Sequence, residues 1–232
     1  MHQRNLEVRR LGRVGYEDAL RLQKELEAEV IENRSKDYLL LLEHPHTFTL
    51  GRRSKNQGVL ATAEMLKNLG VEVHETDRGG KVTYHGIGQI VGYPIVNLSP
   101  DREDVHRFVR DIEEVLIRTM ADYGIEAFRI GGLTGVHTTE GKIAAIGVHI
   151  KRWVTTHGFA LNVNTDLSYF NWIIACEGEP VTSMERLLGR EVGMAEVEDR
   201  IIGNFKDVFD ARTAPRPKTR APSPGTQASS PA

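Results

Sequence analysis

Residues 78–89, RGGKVTYHGIGQ, set a short strand over 82–84 between two pairs of glycines. Glycine lets backbone approach a ligand closely with its N–H unobstructed, and it also makes tight turns. The stretch fails both common phosphate-binding patterns, and that narrows the possible folds. Gly80-Lys81 is followed by Val82 where a phosphate loop needs Ser or Thr. Gly86 and Gly88 lead into more strand rather than a helix, so no dinucleotide fingerprint opens here. What remains is a strand with a turn at each end, surrounded by Arg78, Lys81, Tyr84 and His85. By itself the segment fits two plain hairpin turns as well as it fits a ligand-binding loop.

Apolar periodicity supplies the rest of the architecture. Ala19, Leu22, Leu26 and Val30 share one face of a helix over 16–33. A second helix is expected over 105–123, where Val105, Phe108, Val109, Ile112, Val115, Leu116, Thr119, Met120 and Tyr123 follow the i, i+3, i+4, i+7 rule. Asp101 or Asp104 can cap its start and Gly124 can stop it. A last helix is expected over 194–209. Strand patterns occupy 38–43, 46–50, 71–76, 82–84, 90–97, 143–152 and 155–164, and the last two are close enough to form a hairpin. Strands outnumber helices without regular alternation, which predicts an α+β fold with a mixed sheet rather than a doubly wound one.

Residues 211–232 hold five of the nine prolines and four basic residues with no acid. That composition cannot repay its ordering entropy, so a disordered tail is expected after a single domain over 1–210. The whole chain carries 30 Lys and Arg against 32 Asp and Glu, a balance that argues for neither nucleic-acid nor membrane binding. No apolar run reaches the ~20 residues of a membrane helix, and no apolar stretch follows the basic start as in a secretory signal.

One cysteine, Cys176, cannot form an internal disulfide, and a reducing compartment such as the cytoplasm is expected. The thiol sits where an apolar stretch meets a Gly/Pro loop, a position open either to packing or to nucleophilic chemistry. A nucleophilic thiolate needs a nearby base or cation. Nine histidines leave a His partner unassigned by counting. Lys142, between Gly141 and the apolar run from Ile143, is the other option: as ammonium it stabilises a thiolate, as amine it takes a proton. No metal is expected, because His44 and His46 flank Pro45 without a completing motif, and no G-x-S-x-G elbow marks a serine nucleophile.

Together the blocks LLLLEHPHTFTLGR (39–52), RGGKVTYHGIGQIVGYP (78–94), GKIAAIGVHI (141–150), HGFALNVNTDL (157–167) and the Cys176 segment occur in the order found in lipoyl(octanoyl) transferases, relatives of lipoate-protein and biotin protein ligases. The resemblance runs from about residue 6 to 209. It implies a ligase-like catalytic domain that moves an octanoyl or lipoyl group from acyl carrier protein to a lysine of a lipoyl domain, without a cofactor. The implied acceptors are the lipoate-dependent dehydrogenase complexes and the glycine-cleavage H protein. Cys176 matches the family's acyl-carrying cysteine, and Lys142 the lysine that lowers the thiol pKa. Arg78, Gly79, Gly80, Lys81, Val82, Thr83, Tyr84 and His85 match the first substrate-binding segment. Ala145, Ile146 and Gly147 match the second, and Gly158, Phe159 and Ala160 the third. Ile143, Val148 and Leu161 are further candidates for acyl-slot walls, and Arg52, Arg53, Lys55, Lys81, Lys151 and Arg152 for a basic rim. The chain departs from the pattern at Ile87, where the family has proline, and at Ala175 and Glu177 beside the cysteine. An ATP-dependent ligase of the same fold and a non-catalytic acyl-binding protein are the alternative readings.

Overall fold

Strand β2 (Asp37–Glu43) runs DYLLLLE, and all but its last residue are buried because both faces of the sheet it joins are covered. The computed structural model describes residues 5–34, 36–54, 58–174 and 179–211. Lys55, Ala175, Cys176, Glu177 and the proposed tail from 212 onward lie outside the described residues. The main sheet has six strands. From one edge they are β1 (Leu6–Arg13), β2, β6 (Gln89–Ile95), β9 (Val154–Asn162), β8 (Gly141–Lys151) and β7 (Val136–Thr138). Only the β1–β2 pair is parallel. A second sheet orders β4 (Glu72–Glu75), β3 (Thr47–Leu50) and β5 (Val82–His85), parallel then antiparallel.

The two faces of the main sheet build separate cores. Leu39, Leu41, Ile90 and Leu161 meet Phe108, Ile112, Val115 and Leu116 of α3 (Val105–Ala121) and Val197, Ile201 and Phe205 of α5 (Met194–Ala211). Leu40, Leu42, Val91 and Ile95 meet Ala19, Leu26 and Val30 of α1 (Tyr16–Asn33). Asp104 caps α3 by accepting from the Arg107 N–H. The long helices and the central strands lie where periodicity puts them. Five short elements escape that reading: β1, β7, α2 (Ala63–Leu69), the 3-10 turn Leu167–Trp172 and α4 (Met184–Leu188). The β8–β9 link is a two-residue hairpin through Arg152 and Trp153, both at positive φ, with Lys151 paired to Val154.

Two residues break the alternation of β8 and β9. Ala144, Ile146 and Val148 belong to the helix-covered face, so Lys142 would share it in a regular strand. Against β7, however, Val136 pairs with Ala144 and His137 with Lys142, leaving one extra residue on β8. This bulge keeps Ile143 in the core beside Ala144 and turns Lys142 to the opposite face, with Ala145 and Gly147. On β9, His157 has φ +56° and leaves the core face occupied by Phe159 and Leu161.

Candidate active site

Between α1, β5 and the β8–β9 ladder lies a half-open cleft. Its floor is made of small cross-strand pairs, Ala145 opposite Ala160 and Gly147 opposite Gly158. Gly147 is small of necessity: a Cβ there would stand 2.7 Å from the Gly79 carbonyl oxygen. The 78–81 loop lies directly over the strand, and the Gly79 N–H donates to the Val148 carbonyl at 3.0 Å. Arg78, Gly80, Lys81, Val82, Thr83 and His85 form the facing wall, and Ile146 and Phe159 also line the cleft.

Arg78 is buried and clamps its own loop. Its Nε and Nη2 donate to Thr49 Oγ1 at 3.2 and 2.9 Å, and Nη2 also donates to the Thr49 carbonyl at 2.7 Å. The fork therefore ties the glycine loop to β3. His85 donates from Nδ1 to Gln89 Oε1 at 2.9 Å, and Gln89 Nε2 donates to Asn162 Oδ1 at 2.9 Å. Asn162 Nδ2 continues to the Thr182 carbonyl at 3.0 Å. Burial holds the His85 pKa well below 6.5, with the nearby His44 acting in the same sense. The ring is neutral at pH 7, with Nδ1 as its donor nitrogen.

At one end of the cleft Lys142 is only 7% exposed. The segment 180–182, on the chain after Cys176, is bound to it: the Lys142 N–H donates to the Pro180 carbonyl at 2.8 Å, and the Thr182 N–H to the Lys142 carbonyl at 3.0 Å. Its Nζ is 3.7 Å from Glu179 Oε2, and His137 Nε2 is 3.5 Å from that oxygen. Burial and then the Lys142 charge lower the His137 pKa, against the pull of Glu179. A positive-φ glycine makes room for the lysine. Gly135, at φ +129°, would bring a Cβ within 2.6 Å of Lys142 Cε.

Of the residues expected to bind substrate, Gly79 and Tyr84 do not line the cleft, while Lys142 joins those that do. Gly79 acts through its backbone contact with β8. Tyr84 is buried on the far side of β5, its ring 4.9 Å from Tyr169 and its hydroxyl 2.8 Å from His46 Nδ1. Of the proposed acyl walls, Ile146 and Phe159 border the cleft, whereas Ile143, Val148 and Leu161 pack with the core under α3 and α5. The described basic rim candidates Arg52, Arg53, Lys151 and Arg152 are exposed. Sequence reasoning missed Tyr16, Tyr93 and His157, which line the cleft. No local pattern singles out the two tyrosines or signals the turned backbone of His157. His44 does not face a ligand: Nδ1 donates to the Val14 carbonyl and Nε2 accepts from Tyr93 Oη, both at 2.7 Å. Among the described residues no group of three His, Cys, Asp or Glu is placed to hold a metal ion.

The model of the lipoyl protein ligase A/B catalytic domain matches residues 15–206. An octanoyltransferase of Solibacter usitatus is 50% identical over 213 residues, covering 91% of this chain and 96% of the relative. The chain belongs to the octanoyltransferase family, and it is an acyltransferase. Solved structures carry the fold likeness at much lower identity. A bipartite lipoate protein ligase of Thermoplasma acidophilum gives a TM-score of 0.68 at 19% identity, over 90% of this chain and 85% of that one. The biotin protein ligase of Aquifex aeolicus gives 0.50 at 10% identity, over 89% and 69%. The family's mixed sheet flanked by helices is thus the architecture expected from the strand and helix patterns. No helix of the described residues is long and apolar enough to cross a membrane.

Proposed function

We propose that this domain, over 1–210, transfers an octanoyl or lipoyl group from acyl carrier protein to a lipoyl-domain lysine through a thioester on Cys176. The observation that carries the reading is the pairing of a small-floored cleft with a buried lysine at its end, tethered to residues 180–182, just after Cys176 in the chain. Lys142 takes the thiol proton as Cys176 attacks the donor thioester and returns it to the departing carrier thiolate. The acceptor amine then attacks the acyl-enzyme, its proton passes through Lys142 to the Cys176 sulfur, and the thiol leaves as the amide forms. Exchanging one thioester for another is nearly balanced in energy, and the amide formed last is more stable, so no ATP is required.

The cleft residues from Arg78, Gly80, Lys81, Val82, Thr83 and His85, with Ala145, Ile146, Gly147, Gly158, Phe159 and Ala160, enclose the acyl chain in this reading. Gly79 and Tyr84 support their wall from behind. Burying the seven carbons beyond the carbonyl contributes roughly 5 kcal/mol before ordering costs. Acceptors are the lipoyl domains of dehydrogenase complexes and the glycine-cleavage H protein. The reaction takes place in the cytoplasm, and residues 211–232 are a tail outside the catalytic unit.

Mixing the protein with octanoyl-acyl carrier protein and a lipoyl domain, without ATP, tests this directly. The expected result is an octanoylated lipoyl-domain lysine by mass. Product formed from free octanoate and ATP, and none from the carrier thioester, would overturn the reading in favour of a ligase.

A further inference from the structure

We propose that His157, held by Asp77, closes the far end of the cleft and sets the longest acyl chain it accepts. This rests on the acyl-transfer reading above.

The ladder puts the cleft residues in linear order. Lys142 comes first, then the Ala145–Ala160 rung, then Gly147–Gly158, then Val148 opposite His157. With the acyl carbonyl taken to sit at the Ala145 rung, the first past Lys142, the His157 rung lies three residues on, about 10 Å at the rise of a β-strand. An extended alkyl chain advances ~1.25 Å per bond, so the octanoyl tail needs about 9 Å from carbonyl to methyl. A twelve-carbon chain needs about 5 Å more and meets the imidazole.

His157 is built as a stop. It is 2% exposed, and its φ of +56° swings the side chain off the core face to the cleft. Its Nε2–H donates to Asp77 Oδ1 at 2.7 Å, and its backbone N–H donates to Gln23 Oε1 at 2.7 Å. The first bond pins the ring from the loop, and the second ties the His157 backbone to α1. A non-glycine residue in this backbone region is costly and persists where surrounding contacts fix it.

Behind the ring the chemistry changes. His157 also borders a small chamber between α1 and the β8–β9 hairpin. Gln23 Nε2, Glu27 Oε1 and His149 Nδ1 are buried there without a hydrogen-bond partner. The imidazole is therefore the barrier that a longer chain meets, ahead of these polar groups.

His157→Gly is the sharp test, because glycine adopts φ +56° without strain and joins the cleft to the chamber. The readout is kcat/KM for six-, eight-, ten- and twelve-carbon acyl-carrier thioesters. Wild type should peak at eight carbons and fall steeply by twelve. The variant should raise the twelve-to-eight ratio at least tenfold, and His157→Asn should raise it less. A merely structural histidine would lower every chain length by one factor, and an unchanged ratio in the folded variants overturns the proposal. Binding of free octanoate and dodecanoate to wild type, measured by calorimetry, needs neither variant nor turnover. Dodecanoate binding as tightly as octanoate also overturns the stop. If wild type neither binds nor transfers any acyl chain, it is the acyl-transfer reading that fails. If it transfers octanoyl but the ratio stays fixed, only the role of His157 fails.

Discussion

Lys142 Nζ stands 3.7 Å from Glu179 Oε2, on the chain three positions after Cys176. Glu179 is 19% exposed at its side chain and Lys142 is 8%, so the pair is shielded more than a surface bridge but not sealed. In the proposed reaction the carboxylate pairs with the Lys142 ammonium.

Replacing that carboxylate should therefore weaken turnover without unfolding the protein. Glu179→Gln is expected to lower octanoyl transfer by roughly tenfold, about 1.4 kcal/mol, with little change in thermal midpoint. Glu179→Asp should recover part of the loss. Steady-state kinetics with a melting curve check both. Equal activity in Glu179→Gln would show that the pair does not assist the lysine.

Gly135→Ala should disturb Lys142 from behind. The added methyl would meet the Ala144 carbonyl oxygen at 2.5 Å and Lys142 Cε at 2.6 Å, at a φ of +129° that alanine rarely adopts. A stability loss above about 1 kcal/mol is expected, with activity falling further than the loss of folded protein explains. Chemical denaturation and kcat on the same preparation separate the two effects. Gly131→Ala, which meets nothing within 4 Å, is the matched control and should be close to neutral.

His44 predicts how stability follows pH. It is fully buried, and burial lowers its pKa from 6.5 to about 4 against the raising effect of its bond to the Val14 carbonyl. The unfolded chain binds this proton near pH 6.5, and the folded chain only near pH 4. Between those values the unfolded state holds more protons, so stability is present above pH 6.5 and is lost as pH falls towards 4. The contribution is roughly 2 to 3 kcal/mol between pH 7.5 and 4.5. His85 and His157 are shifted in the same direction and add to the slope. Urea denaturation across that range should show the loss, and His44→Gln should flatten it. An identical slope in the variant would remove His44 as the cause.

The sequence made the framework legible where packing enforces periodicity. The apolar spacing of α3, from Phe108 to Met120, reports the face it buries, and the run in β2 reports a strand covered on both sides. It was less informative where a register event decides orientation. Lys142 could be singled out by its position before an apolar run, but its facing depends on the bulge against β7, a three-residue strand too short to read. Histidine takes positive φ only occasionally, so nothing in the sequence marks the turn of His157 into the cleft. The acyl walls differ from expectation for a related reason. Alternation sends Val148 and Leu161 to the helix-covered core, and the cleft floor is instead alanine and glycine.

The central claim is that octanoyl passes through Cys176 under the control of Lys142. Its most direct measurement is the intact mass of the protein after brief exposure to octanoyl-acyl carrier protein. The account predicts one octanoyl adduct that maps to Cys176, is released by hydroxylamine, is absent from Cys176→Ala and forms more slowly in Lys142→Ala. A folded Cys176→Ala protein that still moves octanoyl to a lipoyl domain at the wild-type rate would contradict it.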